Sequence, residues 1–292
     1  MKRILITGEN SYIGTSFEKY MQQFDDDYQI DTINMHGNSW KNADFSKYDS
    51  IFHVAGIAHA DVSKVSEEQR QLYYQVNTDL TIETAQKYKN DLSGKIGQFI
   101  YMSSIIIYGE ETNINKKRVI TSETKPNPSN FYGDSKLQAE IGLHSIEAAN
   151  FHIAILRPPM IYGEKSKGNY QQLVKLANKL PVFPNIKNER SMLYIVNLCK
   201  FVKERIDFQD SGIFLPQDNE YVRTSHMVRD IARKSGKNIY LFSWMNWFIR
   251  LLGYAPGKIG RLTNKAFGNL VYDKKIEKIP FPYYKKNEVE RE

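Results

Sequence analysis

The chain opens MKRILITGENSYIGTSFEKY (residues 1–20), and this stretch decides the fold. A short apolar strand, Ile4 to Ile6, runs into Thr7-Gly8, and helical periodicity (Ile13, Phe17, Tyr20, Met21) sets in around Gly14. A turn of this kind brings backbone N–H groups and a helix N-terminus up to a pyrophosphate, where the dipole and unpaired donors favour negative charge. Gly8 permits the turn and Gly14 lets the helix pack close to the strand, whereas Ser11 stands where the middle glycine of a TGxxGxxG pattern would be. Gly8, Asn10, Ser11, Tyr12, Ile13 and Gly14 are therefore the expected dinucleotide cradle. A glycine turn alone also serves as a plain strand-to-helix connection, so its partners must decide.

The strongest partner is Tyr132-Gly-Asp-Ser-Lys136. On a helix, residues four apart share a face, and an ammonium beside a phenol favours phenolate, which makes the tyrosine a usable acid and base. In isolation a Tyr-x-x-x-Lys is more often a solvated helix face. Some thirty residues upstream, however, YMSSIIIYG (residues 101–109) reads as a buried strand ending in Ser103 and Ser104. Ligands sit at the carboxyl ends of parallel strands, so a hydroxyl there can hold a substrate oxygen beside the tyrosine.

Strands are expected at Lys2–Ile6, Gln29–Asn34, Ser50–Val54, Gln98–Ser103 and Phe151–Leu156, with helices near Tyr12–Gln23, Glu67–Lys89 and Phe131–Ala149. This alternation implies an α/β fold, a Rossmann-type doubly wound parallel sheet with right-handed crossovers. Past Pro158-Pro159 the regularity fails. Residues 1–161 are the expected dinucleotide-binding domain, with short returns from the C-terminal half allowed. Residues 162–284 are a smaller mixed α/β substrate lobe with one strand at Gly212–Leu215, and 285–292 a charged tail.

TGENSYIG, HVAG, VNTD, MSSIIIYG, YGDSK and LRPPMIYG, in this order and at these intervals, resemble the extended short-chain dehydrogenase/reductase family of nucleotide-sugar epimerases, dehydratases and reductases. The resemblance runs from Lys2 to about Asp273. It implies catalysis by Ser104, Tyr132 and Lys136, with NAD or NADP as cofactor. The cofactor would also be lined by Asn34, Asp44 and Phe45 (an adenine-contacting pair), Val54, Ala55, Gly56, Asn77 at the head of its helix, Ser103 and Pro159. Asn34 stands where many relatives carry an acidic residue for the ribose. It tolerates a 2′-phosphate, which His36 and Lys41 would assist, so NAD and NADP both stay open. Asn169 and Arg190 resemble diphosphate contacts, an Arg presenting a fork suited to phosphate oxygens, and Val182 lies in an apolar segment beside the base. A UDP-sugar substrate and a homodimer through the helices carrying Asn77 and Tyr132 follow from the same likeness.

One departure stands out. Where UDP-galactose 4-epimerases carry a phosphate-binding lysine, this chain has Ile57-Ala58-His59. With Ser11, that favours a cofactor exchanged every turnover, as in a reductase. The residues after Ser104 are Ile105-Ile106 instead of the Asp-Glu of the dehydratases. The nearest likeness is to bacterial enzymes that reduce UDP-4-keto-6-deoxy-N-acetylhexosamines for capsule and O-antigen sugars, with C4 epimerisation the alternative and a non-catalytic dinucleotide sensor a more distant one.

Length and composition agree: 292 residues with 41% hydrophobic content suit one large α/β domain with an appendage. The single cysteine, Cys199, allows no internal disulfide, and no basic-then-apolar leader appears, so a cytoplasmic location is expected. A net charge of +7 with scattered lysines and no nucleic-acid motif is accounted for by an anionic small ligand. No metal ligands are assigned. Trp244, Trp247, Phe248, Leu251 and Leu252 follow helical spacing. Such a helix either packs its aromatic face on the substrate lobe or lies weakly on a membrane surface, being too short to span one.

Overall fold

The computed structural model describes residues 1–58, 65–110, 112–166, 168–276 and 278–279. The first half is βα alternation: β1 (Lys2–Thr7), α1 (Tyr12–Met21), β2 (Tyr28–Ile33), β3 (Ser50–His53), α2 (Glu67–Tyr74), α3 (Leu80–Asp91), β4 (Gly97–Met102), β5 (Lys117–Ile120), α4 (Phe131–Ile146) and β6 (Phe151–Leu156). The second half adds β7 (Met160–Tyr162), α5 (Asn169–Lys179), β8 (Val182–Pro184), β9 (Met192–Tyr194), α6 (Ile195–Phe208), β10 (Gly212–Phe214), α7 (Thr224–Lys234), β11 (Tyr240–Phe242), α8 (Asn246–Leu252), α9 (Gly257–Phe267) and β12 (Asn269–Tyr272).

Six strands form one parallel sheet in the order β10-β6-β4-β3-β1-β2. Both faces are buried, because successive side chains point to opposite sides. Leu5, Ile51, Phe99, Tyr101 and Ile153 pack with Ala85 and Tyr88 of α3 and Ala139 and Leu143 of α4. Ile4, Ile6, Phe52, Ile100 and Leu156 pack with Phe17 of α1 and Leu198, Val202 and Ile206 of α6. The return from the C-terminal half is thus α6 with β10, which closes the sheet edge beside β6. The order reverses between β1 and β3, and such a switch point opens a crevice at the strands' carboxyl ends.

The rest of the lobe has its own core, in which Ala177, Phe183, Val228, Ile231 and Phe267 pack together. Its strands pair at long range, β8 with β11, β5 with β12 and β7 with β9, all parallel. The expected helix over Glu67–Lys89 forms with a π-turn inside it: α2 starts on a capping box of Ser66 and Gln69, passes into the π-turn at Gln75–Asp79, and continues as α3. Asn77 therefore sits within a continuous helical run and not at its head. No helix among the described residues is long and apolar enough to cross a membrane, and the charged tail lies outside the described residues.

Candidate active site

The cradle is built at the switch point. Gly8 has φ +95°, and a Cβ there would stand 2.8 Å from the Ala55 amide nitrogen, so only glycine fits against the end of β3. Gly14 brings α1 to within the same kind of approach: a Cβ would lie 3.2 Å from the side chains of Ile6 and Val54. Asn10 adopts the left-handed conformation (φ 62°), which asparagine tolerates, and is exposed. The Ser11 hydroxyl does not reach toward a ligand. It N-caps α1, accepting from the Gly14 N–H at 3.1 Å, which leaves the N–H groups of Tyr12 and Ile13, without intrahelical partners by helix geometry, to face an anion. The Tyr12 ring packs against the α6 side of the sheet.

Ser104 follows β4 and caps the short turn Ile105–Tyr108, its Oγ accepting from the Ile106 N–H at 3.3 Å. Tyr132 is the second residue of α4, whose start is fixed by Asn130 accepting from the Gly133 N–H at 2.9 Å. Tyr74 donates to Asp134 at 2.7 Å, and the Tyr73 ring meets the Tyr132 ring edge-on at 6.0 Å, so the helix start is held from α2 as well. The Ser104 hydroxyl lies close enough to the Tyr132 phenol to favour its ionised form. One helical turn on, buried Lys136 donates to the Met102 carbonyl at 2.9 Å and lies 4.8 Å from the Tyr101 ring centre. A Cβ on Gly56 would stand 3.3 Å from Lys136 Nζ and 3.1 Å from Asn77 Oδ1. Gly56, Asn77, Ser104, Tyr132 and Lys136 thus converge at the ends of β3 and β4. The π-turn serves this convergence: Asn77 clamps the main chain of Ile57, accepting from its N–H at 2.8 Å and donating to its carbonyl at 3.1 Å, and donates to the Ser135 hydroxyl at 3.1 Å.

Burial dominates the electrostatics. It pushes the Tyr132 phenol up to about 12 against the influence of the Ser104 hydroxyl, and pulls the Lys136 ammonium down to about 8 against the Glu140 carboxylate. The Lys136 ammonium, expected to depress the phenol, is not among the causes acting on Tyr132 and donates to the Met102 carbonyl instead.

Three expected cofactor contacts point elsewhere. Phe45 is fully buried, stacks on Trp40 and donates its N–H to Asp91 at 2.9 Å, so it is core. Asp44 is exposed and accepts from the Ser46 N–H at 2.8 Å. The Ser103 hydroxyl bonds inward to Glu140, leaving its main chain at the site. Val54 and Ala55 line the switch point, and Pro159 is buried beyond β6. Asn34 lies just past the end of β2 and donates to the Glu9 carboxylate at 3.2 Å. Lys41, a possible 2′-phosphate partner, is instead paired with Glu83. His36 is exposed beside Asn34. Of the Ile57-Ala58-His59 segment, His59 lies outside the described residues.

On the lobe, Asn169 is the exposed first residue of α5, and Val182 is 48% exposed on β8. Arg190 is turned to the carbonyl end of α9: Nε donates to Gly268 O at 3.0 Å and Nη2 to Lys265 O at 2.6 Å. Burial lowers it to about 10. Any phosphate contact then rests on the remaining N–H groups, two on Nη1 and one on Nη2.

A network that the motifs do not announce supports the site from behind. Glu140, one turn beyond Lys136, pairs with buried Arg157 through Nη2 at 2.6 Å and Nε at 3.1 and 3.2 Å. Arg157 Nη1 donates to the Tyr108 hydroxyl at 2.6 Å, and its carbonyl accepts from Tyr272 at 2.7 Å. The i, i+4 step from Lys136 to Glu140 was the available signal. Fully buried His53 also escaped notice; its ring bridges Thr7 at 2.8 Å and Thr81 at 3.1 Å, pinning α3 to the sheet.

The profile of the NAD dependent epimerase/dehydratase family matches residues 4–212, and the chain belongs to that family. It is an enzyme of this family and takes a nicotinamide dinucleotide, NAD or NADP, as cofactor. It is 29% identical over 287 residues to a UDP-glucose 4-epimerase of Vibrio cholerae, covering 90% of this chain and 85% of that one. It is 27% identical over 229 residues to an N-acetyl-alpha-D-glucosaminyl-diphospho-ditrans,octacis-undecaprenol 4-epimerase of Escherichia coli O157:H7, covering 75% and 65%. Among solved structures, the dTDP-4-dehydrorhamnose reductase of Bacillus anthracis in complex with NADP superposes with a TM-score of 0.66 at 16% identity, covering 96% of this chain and 95% of that one. The UDP-glucuronic acid 4-epimerase of Bacillus cereus in complex with NAD gives 0.64 at 19%, covering 91% and 94%. These two share the fold.

Proposed function

We propose that the protein is an NAD(P)-dependent oxidoreductase working at C4 of a nucleotide sugar, a 4-keto reductase whose substrate is a UDP-4-keto-6-deoxy-N-acetylhexosamine used in surface polysaccharide synthesis in the cytoplasm. The observation that carries this reading is the convergence of Ser104, Tyr132 and Lys136 beside Gly56 and Asn77, with a phenol that burial keeps protonated at neutral pH. A protonated phenol beside the Ser104 hydroxyl is poised to donate, as carbonyl reduction requires.

The residues present fit the cofactor: the Gly8 and Gly14 positions a side chain would fill, the free N–H groups of Tyr12 and Ile13, and the Lys136 ammonium beside Gly56. When bound, it supplies the hydride to C4. Ser104 holds the C4 oxygen, Tyr132 gives its proton to that oxygen as charge develops, and Lys136 stabilises the phenolate left behind and holds the ribose hydroxyls. Asn169, Val182 and the remaining guanidinium N–H groups of Arg190 are the proposed contacts to the nucleotide diphosphate and base. Ile105 and Ile106 after Ser104 offer no carboxylate for a dehydratase.

Glu9 sharpens the cofactor choice. Its carboxylate reaches Asn34 at the end of β2, so the glycine loop supplies the acid that Asn34 lacks. With Lys41 held by Glu83, this edge favours ribose hydroxyls over a 2′-phosphate, hence NAD over NADP. A homodimer through α2, α3 and α4 belongs to the same proposal.

Epimerisation at C4 is the second reading, favoured by the names of both curated relatives. The two separate cleanly. A reductase oxidises added NADH stoichiometrically with a UDP-4-keto-6-deoxyhexosamine and is isolated with little bound cofactor. Interconversion of UDP-GlcNAc and UDP-GalNAc, followed by proton NMR without added cofactor and without change at the nicotinamide absorbance band, would establish the epimerase instead.

A further inference from the structure

The helix α8 is amphipathic the wrong way round. Its inward stripe is Asn246, Ile249, Arg250 and, just beyond its end, Gly253. Asn246 donates to Asn185 O at 2.9 Å, Arg250 donates to Ile114 O at 3.3 Å and accepts from Asn115 at 3.0 Å, and a Cβ on Gly253 would collide with Ile114. Ile249 packs on the lobe core. These contacts fix the helix's rotation and turn its large apolar residues outward. Trp247 is 69% exposed and Leu251 58%, with Trp244 before the helix at 74% and Tyr254 after it at 70%. On the adjoining α9, Ile259 and Leu262 are 58% and 52% exposed. The aromatic stripe therefore does not pack on the lobe, and single exposed residues of a folded surface do not cluster in this way.

The charge of the chain is concentrated at the same place. Residues 231–272 contain seven Lys or Arg and no Asp or Glu. The other 33 cations balance all 33 acids, so the net +7 is the charge of this one segment and not of lysines scattered along the chain. Lys258, Arg261 and Lys265, at i, i+3 and i+7 of α9, are exposed beside Ile259 and Leu262, and Lys237 is exposed near the edge strand β11.

From this combination we infer that α8 and α9 form a docking face for an anionic lipid bilayer. Tryptophan and tyrosine seat at the headgroup level, the aliphatic tips enter the acyl boundary, and the cations meet lipid phosphates. A nucleic acid would be met by cations with stacked bases in a groove; here the exposed aromatics are borne on and beside a helix together with exposed aliphatic side chains, which suits a bilayer.

The test is sedimentation of the full-length protein with vesicles of phosphatidylglycerol and phosphatidylethanolamine, against phosphatidylcholine alone. Binding is expected to the anionic vesicles only, and to fall steeply as salt is raised. Lys258→Gln with Arg261→Gln should weaken it by about 25-fold, from roughly five-fold per cation near the surface. Trp247→Ser with Leu251→Ser should weaken it by about ten-fold or more, with the melting temperature unchanged because both side chains are exposed. Salt dependence and the Lys258, Arg261 pair test the face even if the apolar variant fails to fold. Equal binding by wild type and variants would overturn the inference. So would absence of binding to anionic vesicles, including the case in which sedimentation velocity shows a dimer that the Trp247, Leu251 variant dissociates, which would assign the face to a second copy.

Discussion

Replacing Glu140 by Gln removes one charge of a buried pair and leaves Arg157 with its own. The carboxylate accepts three guanidinium contacts between 2.6 and 3.2 Å and also the Ser103 hydroxyl, and both partners are below 5% exposed. Removing one member of such a pair costs about 3–5 kcal/mol, because the remaining charge is left desolvated. For a chain of this size, at about 2–4 °C per kcal/mol, the melting temperature should fall by about 10 °C. The same change acts on catalysis. Glu140 holds the Lys136 ammonium up against burial, and Lys136 already lies at about 8, so Glu140→Gln should carry it toward neutrality. The basic limb of kcat/KM, which reports groups of the free enzyme, is expected near pH 8 in the wild type and displaced to lower pH in the variant. Differential scanning calorimetry and a pH series of initial rates read the two effects. The double replacement Glu140→Met, Arg157→Met should recover most of the stability but not the pH profile. A Glu140→Gln protein that melts within about 2 °C of wild type and keeps its basic limb would refute the role given to the pair.

Two further outcomes follow from single residues. His53 is fully buried and burial lowers it to about 3 from 6.5; the unfolded chain therefore binds the extra proton first, so its contribution is complete above pH 6.5 and is lost as pH falls through the range from 6.5 to 3. At pH 5 this amounts to about 2 kcal/mol, which urea denaturation at pH 5 and 7 should register and a His53→Gln variant should not; equal pH slopes in the two proteins would contradict it. Glu9→Gln should raise NADP affinity relative to NAD by about ten-fold through loss of like-charge repulsion, measured by titrating the quenching of tryptophan fluorescence; an unchanged ratio would remove Glu9 from cofactor selection.

Much of the dinucleotide half was legible because a parallel strand buried on both faces is a continuous apolar run bounded by glycine or hydroxyl residues, and β1, β3, β4 and β6 are of that kind. The short strands of the lobe were not, since three residues such as Val182–Pro184 carry no periodicity and their partner, Tyr240–Phe242, is far away in sequence. The π-turn at Gln75–Asp79 depends on what Asn77 bonds across space, on Ile57 and Ser135, and local propensity holds no trace of that. Ser104, Tyr132 and Lys136 can be placed near one another from sequence because one turn of helix and one strand end fix their spacing. An Asp-hydrophobic pair does not say which side of the sheet the Phe45 ring enters; here it enters the core. The stripe through Trp247 and Leu251 was visible as periodicity, but its direction was set by the polar residues opposite, whose partners lie on other elements.

The account stands on Tyr132 as the proton donor, and the most direct test is Tyr132→Phe assayed for a single turnover with NADH prebound and a UDP-4-keto-6-deoxyhexosamine added. Loss of the phenol hydroxyl should slow oxidation of the bound NADH by about two to four orders of magnitude, the scale of general acid catalysis, while the dissociation constant of NADH stays within about two-fold of wild type. Turnover at close to the wild-type rate in Tyr132→Phe, with the cofactor still bound, would contradict the assignment.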